Sequence, residues 1–239
     1  MMLIAAAMAV FGVYPAGADD PLQAIRCNED AMLVFDASGS MAGNERLGIG
    51  SVVTRIDKVR KALKLALPNI ASHRRLGLIT YGPGPYNRCD NINLDLPPTS
   101  NAGERIMVIV SALSPAGRTP LTQAVERAAE ELKYRERPAL IVLLTDGEET
   151  CGGRPCAVAK ALKAAAKQLT IHVIGYRMKD FSWTGGLGIF ETRCFPEETD
   201  GLYVAVETVE ELVAALTKTL GCPMSAAAPL PPLDATSRE

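Results

Sequence analysis

Asp36, Ser38 and Ser40 stand at alternate positions in the segment Phe35-Asp36-Ala37-Ser38-Gly39-Ser40-Met41, directly after an apolar run over residues 31–35. One carboxylate and two hydroxyls so spaced, in a loop leaving a buried strand, can turn their oxygens onto a single hard cation such as Mg²⁺. Two distant segments extend the set. Gly117-Arg118-Thr119-Pro120-Leu121 puts a hydroxyl just ahead of a helical pattern, and Val142-Leu143-Leu144-Thr145-Asp146-Gly147 ends a second apolar run on a carboxylate. The candidate metal ligands are therefore Asp36, Ser38, Ser40, Thr119 and Asp146. Taken singly, each piece has a plainer meaning: Ser38-Gly39-Ser40 and Asp146-Gly147 suit ordinary turns, and Thr119-Pro120 suits a helix N-cap followed by proline at the first helical position. Their value lies in occurring together, in that order, after elements of the right type.

Those elements alternate. Residues 31–35 and 139–144 are continuous apolar runs of the kind buried on both sheet faces, and 76–81, 171–176 and 202–206 supply further strands. The stretch 91–96 alternates polar with apolar and reads as an exposed edge. Between them, Ile56, Val59, Leu63 and Leu67 recur at helical spacing, leaving Lys58, Arg60, Lys61 and Lys64 for solvent. Ile106, Ile109, Val110 and Leu113 repeat the pattern, as do Leu121, Val125, Ala128 and Leu132, then Val158, Leu162 and Ala165. Thr208-Val209-Glu210-Glu211 has capping-box form and should open a last helix whose buried stripe is Leu212, Ala215, Leu216 and Leu220, with Gly221 as its stop. Alternating strands and helices build a mostly parallel sheet covered on both faces.

The 239 residues suit one large domain with short extensions. A net charge of -2, with both signs spread along the chain, leaves no electrostatic footprint for nucleic acid. Residues 1–18 are uncharged and mostly apolar, and Ala16-Gly17-Ala18 then meets Asp19-Asp20, as in a secretory signal with its cleavage site. An uncleaved anchor is the alternative. No later segment has the length of a membrane span. The six cysteines all follow residue 18, an even set that fits oxidation outside the cytoplasm. Zinc fits poorly, because Cys151 and Cys156 are the only close pair and neither His73 nor His172 has a companion at ligand spacing.

The chain resembles von Willebrand factor type A domains, the resemblance resting on Asp36-x-Ser38-x-Ser40, the distant Thr119 and the distant Asp146-Gly147. It spans about residues 29–220 and implies an α/β doubly wound, mostly parallel six-stranded sheet with one antiparallel edge strand and helices on both faces, Rossmann-like in plan. The division it suggests is a signal peptide over 1–18, an N-terminal segment over 19–28, the domain over 29–222, and an Ala- and Pro-rich disordered tail over 223–239. In such domains the metal lies at the carboxyl ends of the strands and leaves a position for an Asp or Glu carboxylate of a partner protein. The expectation is a non-enzymatic binding module, secreted or periplasmic, that uses Mg²⁺, with Mn²⁺ and Ca²⁺ as alternatives, to capture an as yet unidentified acidic protein ligand. Neither nucleic acid nor a membrane span of the mature chain enters that expectation.

The same fold would bring Cys27 and Cys222 together at the end opposite the metal and tether the last helix. For Cys89, Cys151, Cys156 and Cys194 three pairings are open. Cys89 with Cys151 and Cys156 with Cys194 is preferred over a local Cys151 to Cys156 bridge. A metal-dependent hydrolase is the alternative from another class, yet Ser38 stands where an aspartyl phosphatase needs its second carboxylate, and no Lys-Ser/Thr phosphate loop or Ser-His-Asp signature is present. A scaffold whose metal merely stabilises the fold is a third reading. Glu148 and Glu149 read first as a solvated loop, Arg118 as an exposed side chain beside Thr119, and Trp183 as either packing or recognition surface in a Gly-rich loop.

Overall fold

A computed structural model of the protein describes residues 27, 29–46, 52–178 and 187–222. The expected signal segment, the tail from Pro223 and the loop holding Trp183 lie outside the described residues. Six strands form the main sheet: β1 (Asp30–Asp36), β4 (Leu76–Tyr81), β5 (Ile92–Thr99), β6 (Ala139–Thr145), β7 (Leu169–Tyr176) and β8 (Tyr203–Val206). Their order is β5-β4-β1-β6-β7-β8, all pairs parallel except β4 with β5. The one antiparallel strand is the expected edge, where Pro97 and Pro98 are tolerated because an edge leaves one side of the ladder open.

Side-chain alternation divides the core into two layers. Leu33, Phe35, Val142 and Leu144 face α1 (Arg55–His73), α2 (Gly103–Ala112) and α6 (Val209–Leu220), while Met32, Val34, Ile141 and Leu143 face α3 (Leu121–Glu131), α4 (Pro155–Ala165) and α5 (Leu187–Glu198). A strand buried on both faces is apolar at nearly every position, which is why β1 and β6 read as unbroken runs, while β4 buries Thr80 by letting its hydroxyl donate to Asp95. The helical stripes of α1, α3 and α6 are buried as their spacing requires. In α4 the position expected for Ala165 is exposed, and Ala159, one turn and a half earlier, is buried instead.

Helix boundaries carry their own chemistry. Thr208 and Glu211 form the anticipated capping box. Thr54 and Asp57 form another at the start of α1, after a short hairpin of β2 (Asn44–Arg46) and β3 (Val52–Thr54) that the periodicity did not reveal. Three-residue strands are too short to carry a pattern. Gly221 does close α6, though without a left-handed backbone: its φ is -65° and its N–H donates to the Thr217 carbonyl, against which a Cβ would collide. Arg60 departs from the solvated face assigned to it. It donates from Nε to the Val110 carbonyl at 3.1 Å and from Nη2 to the Leu113 carbonyl at 2.7 Å, satisfying the free end of α2.

Three disulfides join Cys27 to Cys222, Cys89 to Cys151, and Cys156 to Cys194, with Cα separations of 5.4, 5.6 and 4.9 Å. The first lies at the amino ends of the strands, where the Cys27 N–H donates to the His73 carbonyl and Cys222 Sγ approaches the same oxygen. It closes a sequence separation of 195 residues. Cys27→Ser with Cys222→Ser should lower stability by about 5 kcal/mol in the chain-entropy picture, read as a fall in the denaturant midpoint. An unchanged midpoint would show that the crosslink restrains little of the unfolded chain.

Candidate functional site

β1 and β6 are adjacent parallel strands whose last residues are Asp36 and Thr145, so the chain delivers Asp36 and Asp146 side by side at the carboxyl edge. Strand order reverses there, since the chain runs from β1 outward to β4 on one side and from β6 outward to β7 on the other. Such a reversal leaves a crevice beyond the strand ends.

Asp36 is fully buried and accepts three hydrogen bonds: from the Ser38 N–H at 2.8 Å, from Tyr81 Oη at 2.9 Å and from Thr145 Oγ1 at 2.7 Å. Ser40 Oγ donates to Asp146 Oδ1 at 2.6 Å and lies 3.1 Å from Ser38 Oγ. Asp36, Ser38, Ser40 and Asp146 thus form one connected cluster. Arg55 Nη1 donates to the other Asp146 oxygen, Oδ2, at 2.9 Å. Thr119 lies in the adjoining loop, buried, held through its backbone: its N–H donates to Thr150 Oγ1 at 2.8 Å and its carbonyl accepts from the Thr150 N–H at 3.1 Å. It is not the N-cap of α3, a place taken by Pro120 with no side-chain cap.

The loops are locked together by backbone pairing across glycines. Gly82 N–H donates to the Asn91 carbonyl at 3.1 Å, Gly117 N–H to the Gly82 carbonyl at 2.7 Å, and Gly39 N–H to the Gly117 carbonyl at 2.9 Å. Gly82 has φ +85°, and a Cβ there would sit 2.6 Å from the Ser38 nitrogen. Only glycine supplies both that backbone and that clearance. The Cys89–Cys151 bond braces the same rim, joining the loop after β4 to the loop after β6.

Two buried carboxylates this close are costly. Burial, then the neighbouring charge of Asp146, pushes the Asp36 carboxyl up to about 6 despite its hydrogen bonds from Ser38 and Thr145. Burial also raises Asp146, with the Ser40 hydroxyl and the Arg55 cation pulling the other way. Tyr81 is held well above its ordinary range by burial and by Asp36, so it remains a neutral donor. Hard oxygens from two carboxylates and nearby hydroxyls suit Mg²⁺ or a similar cation, which would relieve the repulsion. No cluster of three or more His, Cys, Asp or Glu able to hold a metal occurs among the described residues. A metal centre here would rest on hydroxyls as much as on acids.

Sequence reasoning missed Tyr81, Thr145 and Arg55. Tyr81 and Thr145 ended runs that read simply as strands, and Arg55 opened a helix with no mark distinguishing it from its basic neighbours. Glu149 is also more than a solvated loop residue: Oε2 accepts from the Thr122 N–H at 2.9 Å and Oε1 from the Cys151 N–H at 2.7 Å. It satisfies a free donor at the start of α3 and braces the loop after Asp146. Arg118 is exposed, reaching the Thr150 carbonyl at 3.4 Å.

Residues 31–149 match the von Willebrand factor type A domain family. YwmD of Bacillus subtilis is 27% identical over 163 residues, which is 63% of this chain and 69% of that protein. Rv2850c of Mycobacterium tuberculosis is 33% identical over 177 residues, 68% of this chain but 25% of that longer protein. Among solved structures, the PilB minor pilin of Streptococcus sanguinis superposes with a TM-score of 0.61 at 17% identity, covering 84% of this chain and 62% of the pilin. The von Willebrand factor domain of the type V pili tip protein Mfa5 from Porphyromonas gingivalis gives 0.57 at 13% identity, covering 82% and 94%. Likeness at these identities speaks for the fold.

Two substitutions test the support around Asp36. Tyr81→Phe should cost about 1–3 kcal/mol by taking a donor from a buried carboxylate, and Gly82→Ala about 1–3 kcal/mol through its backbone angle and the clash with Ser38. Urea unfolding measures both. A change under about 0.5 kcal/mol, the level of an ordinary surface substitution, would mean that the site is not held as described.

Proposed function

Taking residues 31–149 as a von Willebrand factor type A domain, we propose that the protein is an extracytoplasmic binding module that captures an acidic residue of a partner protein through a divalent cation. Asp36, Ser38, Ser40, Thr119 and Asp146 would hold that cation, Mg²⁺ foremost. The observation that carries the reading is the convergence of Asp36, Ser38, Ser40 and Asp146 into one hydrogen-bonded cluster at the strand-order reversal. Bound there, the ion would act as a Lewis acid for a carboxylate oxygen that the chain itself does not provide.

This chain's own part is to prepare the place. Tyr81, Thr145 and the Ser38 N–H fix the Asp36 carboxylate from behind, so its approach to a ligand is set before any ligand arrives. Hydroxyl donors spare negative charge that further acids would add, and a centre with fewer anionic ligands keeps more attraction for an incoming acid. Tyr86, 76% exposed in the loop after β4 that Cys89 ties to Cys151, gives the rim an aromatic side chain for partner contact. Three disulfides support an oxidising compartment, and among the described residues no helix is long and apolar enough to cross a membrane.

Mg²⁺ should raise the melting temperature of the wild type and leave that of Asp36→Asn nearly unmoved. Affinity capture from a cell-envelope extract, with each protein in Mg²⁺ or chelator, then reads the binding function. Partners recovered only by the wild type in Mg²⁺ are the expected result, whereas equal recovery in all four conditions overturns the proposal. A melting shift with no metal-dependent partner would instead favour a metal that only stabilises the fold.

A further inference from the structure

The Asp146 carboxylate has a second cation built into the fold. Arg55 stands at the first position of α1, and its placement is over-determined: the Thr54–Asp57 capping box fixes where the helix begins, and the Arg55 N–H donates to the Gly43 carbonyl at 3.0 Å. The side chain then runs past Gly43, where a Cβ would lie 2.9 Å from the Ser40 carbonyl oxygen and 3.4 Å from Arg55 Nε. A side chain at Gly43 would thus press on the Ser40 carbonyl and only touch Arg55. Asp146 is fully buried, and the Arg55 side chain keeps 24% of its surface in solvent, so the charge spans the inside of the site and its mouth.

Charge counting shows what this adds. Two carboxylates, Asp36 and Asp146, cancel both charges of a divalent cation and would leave the centre neutral. The guanidinium makes the loaded centre cationic by one unit, on the side open to solvent.

We infer that Arg55 is the residue that sets the charge of the metal centre, lowering its affinity for the divalent ion and raising its affinity for a carboxylate-bearing partner. The inference rests on the metal-binding reading above and adds the residue that tunes the balance between the ion and its anionic ligand. Mechanically, Arg55 and the metal draw on the same carboxylate, so each weakens the hold of the other. Guanidinium N–H groups other than the one that Nη1 gives to Asp146 would serve a second oxygen of an incoming carboxylate, a fork-like match that a lone ion does not provide. A neutral ligand gains nothing from either.

Arg55→Gln removes the charge and keeps a polar side chain, while Arg55→Lys keeps the charge. Mg²⁺ binding by titration calorimetry should tighten about tenfold in Arg55→Gln and change less than about twofold in Arg55→Lys, the size of effect expected for a like charge at the same carboxylate. With Mg²⁺ saturating, binding of acetate as the carboxylate probe should weaken about tenfold in Arg55→Gln, followed by chemical-shift titration. Without metal, Arg55→Gln should melt lower than the wild type because Asp146 loses its partner. Unchanged or weaker Mg²⁺ binding in Arg55→Gln, or equal behaviour of Gln and Lys, overturns the role of Arg55 while leaving the metal site standing. Failure of the wild type itself to bind Mg²⁺ overturns both. If Arg55→Gln does not fold, Arg55→Lys carries the test, since a Mg²⁺ affinity changed well beyond twofold with the charge retained contradicts the inference.

Discussion

Everything at the carboxyl edge of this sheet answers to one electrostatic constraint: two carboxylates, Asp36 and Asp146, are buried on neighbouring strands. Neither is open to solvent, and the pair repel. The fold meets the cost with donors rather than with distance. Asp36 receives a backbone N–H, a tyrosine hydroxyl and a threonine hydroxyl, and Asp146 receives a serine hydroxyl and a guanidinium. Such an arrangement fits a place for added positive charge better than it fits a structural ion pair, because a pair needs only one acid.

Rigidity at that edge begins with the backbone. Gly39, Gly82 and Gly117 let three loops pass within hydrogen-bonding distance of one another, and a side chain at Gly82 or Gly117 would push them apart. The Cys89–Cys151 bond and Glu149 hold the outer part of the same rim. At the other end of the sheet, Cys27–Cys222 ties both ends of the described domain to the close of α1. Both edges are therefore crosslinked, which leaves the carboxyl edge with little room to rearrange and favours a preorganised arrangement there.

The periodicity of the chain was enough to place the six strands of the main sheet and five of the six α-helices, α5 (Leu187–Glu198) not being anticipated, because burial on two faces or on one stripe writes itself directly into residue type. It failed where that link is weak. The hairpin β2–β3 is too short for a pattern, Ala165 shares its apolar character with Ala159, and Arg60 turns to the end of α2 though Lys61 and Lys64 are exposed. The preferred cysteine pairing is the one in the structure, yet local spacing favoured no pairing over the others. It followed only once a sheet order was assumed.

By itself the sequence determined the donor types and the order of the elements that carry them: Asp36, Ser38 and Ser40 after one buried run, Thr119 before a helix, Asp146 after a second run. Local residue chemistry is sufficient for that. Tertiary structure decided which groups meet. Tyr81 reaches Asp36 across 45 residues, Arg55 reaches Asp146 across 91 and Thr145 reaches Asp36 across 109. The two contacts to Asp36 exist because β1 lies between β4 and β6, and the one to Asp146 because α1 begins beside the end of β6, and no spacing within any one segment records either.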